Sequence, residues 1–452
     1  MADRAAIILA AGQGTRMQSK LPKVLHPVGG RAMLDWLIAL AEDLGCQRII
    51  VVASPGTPEV QAHVRDTLGD QALVLQETAL GTGHAVRCAE TALAGFKGDV
   101  VVLYGDTPLI PSSVVEALFE QISSTSELGV LGFNAADPGA YGRLVTGSDG
   151  MLQAIVEAKE ASADELAISF CNSGVMAAKA GLLFELLAAV TNDNVKGEYY
   201  LTDTVGLARA RGAACCAVNC EETDVLGINS RVELAQAEAA FQQRRREQAL
   251  RDGVTMIAPE TVFFSYDTEI QTDTFIEPNV VFGTGVRIAS NVRIGAFSHI
   301  QQAVISEDCE IGPFARLRPG SVMSAGAKIG NFVEMKNTQL GPGAKANHLA
   351  YLGDSEIGAE SNIGAGTIFC NYDGFRKHRT IVGAGAFVGS NSSLVAPVRI
   401  GDGAMIGSGS VVTQDVEPNA LALGRAQQTV KSGWASRFRD AMTAIKTARS
   451  KR

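Results

Sequence analysis

The 452-residue chain has no C-x-x-C pair among its eight cysteines, and none of its six histidines stands at metal-ligand spacing from a cysteine. A structural zinc site is therefore not expected, and Cys46, Cys88, Cys171, Cys215, Cys216, Cys220, Cys309 and Cys370 read as buried thiols. No window approaches the roughly eighteen apolar residues of a membrane span, and the N-terminus lacks the charged-then-apolar order of a signal peptide. A soluble, cytoplasmic protein without stable membrane insertion is the expectation. Positive charge is not in excess. The formal net charge of −9 argues against a nucleic-acid binder while leaving room for a nucleotide pocket with local positive charge. There is no G-x-x-x-x-G-K-[ST], so a P-loop is excluded, and Met17 stands where a dinucleotide fingerprint needs its third glycine.

What is present begins with LAAGQGTRM at 9–17 and LPK at 21–23, directly after the apolar run Ala5–Ala10. That run reads as a buried strand, and the chain from Met17 can continue as a helix. Gly12 and Gly14 let backbone approach phosphate closely, and Arg16 and Lys23 add positive charge at the same place. The pattern points to phosphate binding; an ordinary glycine turn between strand and helix is the plainer alternative.

The length predicts two domains or more, and the 46% apolar content supports globular folding. Up to about residue 231, strand-like runs such as Arg48–Ala53, Asp99–Leu103 and Leu128–Phe133 alternate with helical stretches, which predicts a Rossmann-like α/β domain. Ligands in such sheets bind beyond the strands' carboxyl ends, where loops at Gly12, Gln76, Gly105 and Gly142 would meet. Residues 232–252 lack proline and glycine and are rich in Ala, Glu, Gln and Arg, predicting a helical connector. Its RRRE run at 244–247 reads as a solvated helix face.

From 253 onward apolar residues return every six positions, at Ile270, Ile276, Phe282, Ile288, Ile294 and Ile300, then at Ile305, Ile311, Leu317, Met323 and Ile329. The phase reappears at Val382, Val388, Leu394, Ile400, Ile406 and Val412. A period near 3.6 cannot give this, whereas short flat strands joined by turns can, so a parallel β-helix of roughly seven or eight coils is predicted. ANHLAYLGDS at 346–355 and IFCNYDGFRKHRT at 368–380 break the phase and are expected to project as functional loops. The tail from Trp434 carries Arg437, Arg439, Lys446, Arg449, Lys451 and Arg452, either a basic arm reaching a ligand or neighbour, or a solvated terminus.

Taken together, LAAGQGTRM, LPKVLHPVGG, LGTGHA, LYGDTPL, YGRL, CNSGV, GEYYLTD and GINSR in the first half, with GPFARLRPGS, IGNFVEMKN, HLAYLGDSEIG, NIGAGTIFCNYDG and ALGRAQQ in the second, carry a resemblance over nearly the whole length. The chain resembles the bacterial family that joins N-acetylglucosamine-1-phosphate uridylyltransferase to glucosamine-1-phosphate acetyltransferase. The resemblance implies a left-handed hexapeptide β-helix for residues 253–452 and a homotrimer. It also implies acetylation of glucosamine 1-phosphate by acetyl-CoA, followed by uridylyl transfer from UTP, giving UDP-N-acetylglucosamine for peptidoglycan and, where present, lipopolysaccharide.

Asp106, in LYGD at a strand end, is the best metal-ligand candidate from the residues themselves, and the resemblance adds Asn229 as its partner on Mg²⁺. By the same resemblance Leu9, Ala10, Ala11, Gly12, Tyr104 and Gly105 line the nucleotide site. Gln76, Gly81 and Thr82 read uracil, Arg16 and Lys23 hold phosphate, and Gly142, Glu157 and Asn172 grip the amino sugar. In the second half His348 becomes the general base with Glu334 as orienting partner, against the alternative of a turn histidine bonded to backbone. Arg318 and Lys336 would bind the substrate phosphate, with Tyr351, Asn362 and Asn371 lining that pocket. Asn371 also borders the acetyl-CoA positions Ala365, Tyr372, Ser390, Ser408 and Arg425. Two competing readings are nucleotidyl transfer alone with the β-helix as an oligomerisation domain, and a non-enzymatic trimeric scaffold.

Overall fold

A computed structural model describes residues 3–449; Lys451 and Arg452 of the basic tail lie outside the described residues. Its contacts divide into two compact units, one running through Gln248 and including Phe264–Tyr266, the other comprising Ala249–Phe263 and the chain from Asp267 onward.

In the first unit the strand Arg4–Ala10 lies parallel between Arg48–Ala53 and Asp99–Tyr104, with Ile7 opposite both Ile50 and Val102. The sheet continues through Leu73–Leu75 on one side. On the other it passes through the antiparallel strand Phe170–Lys179 to Leu128–Asn134 and Cys215–Cys220. Strand alternation divides the apolar residues between two cores. Ala6, Ile8 and Ala10 pack with Leu37, Val60, Leu118 and Phe119, while Ala5 and Ile7 pack with Val86, Leu183, Leu186 and Val205. Helices therefore cover both faces, and the near-continuous apolar run at 5–10 is explained by burial on both sides.

Two local readings change. No α-helix follows Met17; instead there are short 3-10 turns at Thr15–Met17 and Lys23–Leu25, and the first α-helix is Met33–Asp43. Pro22 and Pro27 lack the N–H a helix would need, and Gly14 and Gln18 both take left-handed backbone angles. The segment 11–14, expected to cradle phosphate, is thus a loop and not the N-terminus of an α-helix. The helix Arg231–Arg251 is also more than a solvated connector. Ala237 and Phe241 are buried with Val28, Met33 and Leu109, and Arg244 donates to the Leu109 and Thr223 carbonyls and to Asp224. At Gly29, with φ +58, a Cβ would lie 2.4 Å from the Phe241 ring, so glycine is required there.

The second unit is the hexapeptide coil. On one face Ile276, Ile294, Ile311, Ile329, Ala346, Ile363, Val388 and Ile406 stack in register, and on another Ile300, Leu317, Met335 and Leu352 do the same. Among the described residues the first of these faces holds ten strands, more than the seven or eight coils expected. The surplus comes from Thr255–Met256 and Leu421–Ala422, which lie outside the six-residue phase. The stretch 346–355 does not project. Lys345–His348 and Tyr351–Ile357 are ordinary strands, and Ala346 and Leu352 take the inward positions around a left-handed turn at Leu349, φ 53. Only the second interruption leaves the coil: Asn362 pairs with Phe387, a longer step that admits the segment between Cys370 and Thr380, closed by a Tyr372–Lys377 bridge.

Candidate active sites

In the first unit the strand ends converge as the α/β reading requires. The Gly105 N–H donates to the Leu9 carbonyl at 2.8 Å, and the Gln76 N–H to the Ala53 carbonyl at 2.9 Å. A Cβ on Gly105 would meet the Leu9 carbonyl oxygen at 2.8 Å, which is why that loop can close over the neighbouring strand. The resulting cleft, about 270 Å³, is lined by Leu9, Ala10, Ala11, Gly12, Lys23, Gln76, Gly81, Thr82, Tyr104 and Asp106, with Glu198 among the remainder. Gln76 is buried, and its amide donates to the Gly81 carbonyl at 3.1 Å, leaving its carbonyl oxygen as an acceptor. Arg16 stands apart: it is exposed on the 3-10 turn and is not among the residues lining the cleft.

At the floor of the cleft the Lys23 ammonium donates to Asp106 Oδ2 at 2.5 Å and to Asn229 Oδ1 at 3.0 Å. Asn229 reaches this point because the Ile228 N–H donates to the Asp106 carbonyl at 2.9 Å and the Asn229 N–H to Glu233 at 2.7 Å. Burial pushes the Tyr104 phenol up to about 12, against the Thr82 side chain's hydrogen bond.

Gly142 reaches the same edge immediately before the antiparallel strand Arg143–Thr146, with its carbonyl accepting from the Asn172 N–H at 2.8 Å. A bulge between Asn172 and Met176 turns the chain here; Ser173 donates to the Leu131 carbonyl, and Gly174, at φ +93, lies against the Tyr104 ring. Glu157 accepts from Thr202 at 3.4 Å, and its Oε1 lies 3.7 Å from where a Cβ on Gly142 would stand. The bulge and Glu198 were missed in the sequence reading; Gly174, three residues after Cys171 in an apolar strand, was the available signal.

In the second unit one corner of the coil forms a column. His348 stands in register with Asn331, and its carbonyl accepts from the Gly366 N–H at 3.3 Å. The Ala365 carbonyl accepts from Asn391, that of Ser390 from Gly409, and that of Ser408 from the Arg425 guanidinium at 2.5 Å. His348, Ala365, Ser390 and Ser408 therefore descend coil by coil to Arg425, spanning on the order of 15 Å at the usual strand spacing. Asn362 lies on the strand leading into the Ala365 turn.

Around the corner, Arg318, Lys336, Tyr351 and Asn371 occupy successive coils. Arg318 donates to Glu334 at 2.8 Å, Asn371 donates to Tyr351 at 3.5 Å and to Asp354, and Asn337 donates to Asp354 at 2.8 Å. Glu334 is thus the partner of Arg318, while His348 Nδ1 donates to the Asn331 side-chain Oδ1 at 2.7 Å. This corrects the orienting partner: Glu334 lies on the face that pairs with Arg316 and Tyr351, whereas Asn331 precedes the corner in the coil directly below His348. Tyr372 is exposed on the projecting segment, its hydroxyl donating to the Gly374 carbonyl with Lys377 over its ring. There, the backbone N–H of Arg376, then His378 and the Phe375 N–H, hold the Asp373 carboxyl well below the usual carboxylate range.

A mostly parallel sheet with a glycine loop and an Asp–Asn–Lys cluster at its strand ends, on the same chain as a hexapeptide coil with a histidine corner, defines a two-part transferase. Residues 6–182 match the model of the MobA-like NTP transferase domain, and residues 267–302 and 379–414 match that of the bacterial transferase hexapeptide (six repeats). The chain is 61% identical to the bifunctional protein GlmU of Hyphomonas neptunium over 99% of its own length and 97% of that protein. It is 53% identical to that of Sphingopyxis alaskensis over 99% of both chains, and 56% identical to that of Caulobacter vibrioides over 96% and 94%. The chain belongs to the family of the bifunctional protein GlmU. Among solved structures, a UDP-glucose pyrophosphorylase complexed with UDP-glucose aligns with TM-score 0.45 at 18% identity, covering 54% of this chain and 100% of its own, too distant a likeness to bear on the sites.

Proposed function

We propose that the first unit transfers UMP from UTP to N-acetylglucosamine 1-phosphate, releasing pyrophosphate, and that the second makes that acceptor by moving acetyl from acetyl-CoA to glucosamine 1-phosphate. The observation that carries the two-reaction reading is the His348 column: a purely structural coil has no use for a histidine held by Asn331 at the head of a line ending on Arg425. Family membership supports the same conclusion.

In the uridylyl step a phosphate oxygen of the sugar phosphate attacks the α-phosphorus of UTP and the bond to pyrophosphate breaks. The nucleophile is already anionic, so no base is required, and positioning with charge stabilisation suffices. Gln76 and the Gly81–Thr82 turn read the uracil, the loop at 11–12 faces the phosphates, and Lys23 supplies positive charge. Gly142, Glu157 and Asn172 hold the amino sugar. Arg16 reaches the phosphates only by movement of its turn. Asp106 and Asn229 suit Mg²⁺, since their two hard oxygens already converge on a cation, the Lys23 ammonium. Among the described residues no three His, Cys, Asp or Glu side chains gather, so water and phosphate oxygens must complete the shell. When bound, the ion neutralises triphosphate charge.

In the acetyl step the sugar amine attacks the thioester carbonyl, a C–N bond forms and the C–S bond breaks. His348 takes the amine proton and returns it to the departing thiolate. Arg318 and Lys336 hold the sugar phosphate beside Tyr351, Asn362 and Asn371, while the coenzyme lies along Ala365, Tyr372, Ser390 and Ser408 toward Arg425.

The active assembly is a homotrimer. Phe297, Phe314 and Phe332 stack on one exposed corner with centroids 4.9 and 5.1 Å apart, continuing to exposed Leu349 beside His348. That apolar ladder supports burial against another copy. The exposed helix Trp434–Arg449, with Trp434, Phe438, Met442 and Ile445 along it, suits an arm lying on a neighbour. No helix among the described residues is long and apolar enough to cross a membrane. We place the enzyme in the cytoplasm, where it makes UDP-N-acetylglucosamine for peptidoglycan and lipopolysaccharide.

The test follows thiol release from acetyl-CoA with glucosamine 1-phosphate and, separately, pyrophosphate release from UTP with N-acetylglucosamine 1-phosphate. His348→Ala should abolish only the first and Asp106→Ala only the second. Pyrophosphate release without any thiol release by the wild-type protein would reduce the coil to a scaffold.

A further inference from the structure

Beside the nucleotide cleft, on the other side of the helix Thr82–Cys88, lies a separate cavity of about 460 Å³ lined by Leu80, Gly83, His84, Arg87, Cys88, Leu187 and Tyr199. Nothing in the two transfer reactions uses it. Its lining is chemically divided. Leu80, Leu187 and the Tyr199 ring make an apolar wall, with Tyr199 and His84 6.4 Å apart between centroids. His84 and Arg87, three residues apart and so on one helix face, supply the polar end.

That polar end is made of donors. His84 Nδ1 faces the Gln76 amide nitrogen at 3.1 Å, so it accepts and the ring proton sits on Nε2. Burial, then the neighbouring Arg87 charge, holds the His84 pKa below its ordinary value, which keeps the ring in this neutral donor form. A neutral N–H donor next to a guanidinium, opposite an apolar wall, matches a ligand with one anionic group on an aromatic or apolar body.

The cavity wall is also tied to the nucleotide cleft. Gln76, which joins His84, donates to the Gly81 carbonyl at 3.1 Å as well. Tyr199 donates to the Leu80 carbonyl at 2.8 Å and accepts from the Gly83 N–H at 2.8 Å. A Cβ on Gly81 would lie 2.6 Å from the Tyr199 carbonyl oxygen, so the uracil turn and the cavity wall cannot shift independently. We propose that this cavity is a second ligand site, which takes a small anion with an aromatic or apolar body and, when filled, changes the affinity of the adjoining cleft for the nucleotide. The proposal rests on the assignment of Gln76 and Gly81 to uracil.

The probe is 2-naphthoate, with uncharged 2-naphthylmethanol as control, titrated calorimetrically into the full chain with and without UTP. Naphthoate is expected to bind the wild-type chain and the alcohol far more weakly. Arg87→Ala should weaken naphthoate about tenfold, the loss of one charge-assisted contact, and Leu187→Trp, which fills the cavity, should remove binding. Naphthoate should change the UTP dissociation constant about fivefold or more, and UTP should change that of naphthoate by the same factor. Both variants should keep pyrophosphate release without the probe. Four results overturn the proposal: no naphthoate binding, binding unaffected by both variants, unchanged UTP affinity with the cavity filled, or complete exclusion by UTP that survives both variants, which would put the probe in the nucleotide cleft. Failure of the wild-type chain to bind UTP in the absence of probe would instead overturn the nucleotide assignment.

Discussion

The ammonium of Lys23 stands 2.5 Å from Oδ2 of Asp106, on the spot that a divalent cation would contest. Both groups are largely shielded from water, so removing either partner leaves an uncompensated charge in the cleft proposed to take the triphosphate. Asp106→Asn should lower pyrophosphate release by about a hundredfold or more, as loss of a group facing developing charge does, and leave thiol release unchanged. Chelation of divalent ions should act the same way. Pyrophosphate release that persists in a chelator would remove Mg²⁺ from the uridylyl step.

The Asn331 Oδ1, 2.7 Å from His348 Nδ1, holds the proton on that nitrogen, which would turn Nε2 toward the acceptor amine in the proposed acetyl step. His348→Ala is expected to reduce kcat for thiol release by about a hundredfold to ten-thousandfold, the usual worth of a general base. Asn331→Ala should give a smaller loss, about tenfold, from misorientation of the ring. Because Asn331 acts through the histidine, the pH profile of kcat should also shift in Asn331→Ala, with KM for glucosamine 1-phosphate little altered. A change in KM alone would make Asn331 a structural residue only.

Why Asn331 escaped the sequence reading while His348 did not is a matter of range. Signals confined to one strand or turn were legible: the continuous apolar run Ala5–Ala10 marked a buried strand, and the six-residue phase put Ile276 to Met323 inside the coil. Partners one coil apart are not adjacent in sequence, so Asn331 beneath His348 and Asp354 beneath Asn371 emerge only once the register of the coil is known. The stretch 346–355 misled for a related reason. A left-handed Leu349 and a small Ala346 keep the coil while hiding its usual large residue, and the six-residue count sees that as a break. The turns after Gly14 misled oppositely, since Met17 and its neighbours have no local feature against helix until Pro22 is weighed.

Thiols shielded from water set the alkaline limit; of the eight cysteines expected to be buried, Cys46, Cys88 and Cys370 are only partly so. Burial pushes Cys46, Cys215 and Cys309 up to about 11 and Cys220 up to about 12, from an ordinary value of 9.0. Above pH 9 the unfolded chain loses these protons while the folded chain keeps them, so stability falls as pH rises from 9.0 toward 11. The slope is on the order of 1 kcal/mol per pH unit for each thiol. Denaturant midpoints measured across this range should fall steadily, and Cys220→Ser or Cys215→Ala should flatten the fall. Midpoints that stay level would show that these thiols ionise normally in the folded state.

The turn proposed to read uracil depends on glycine in a way that can be separated from backbone strain. Gly81 has φ +106, and a Cβ there would lie 2.6 Å from the Tyr199 carbonyl oxygen; Gly95 has φ +74 with nothing within 4 Å. Alanine at either position meets an unfavourable backbone angle, costing about 1 to 3 kcal/mol. Only Gly81→Ala also pushes Tyr199 off the Leu80 and Gly83 backbone, and with it the Gln76 contact to the Gly81 carbonyl. Gly95→Ala should therefore lower the unfolding midpoint and leave the KM for UTP unchanged, whereas Gly81→Ala should lower the midpoint and raise that KM by about tenfold or more, the equivalent of one lost hydrogen bond to the base. Equal kinetics in the two variants would mean that the turn at Gly81 does not read the nucleotide.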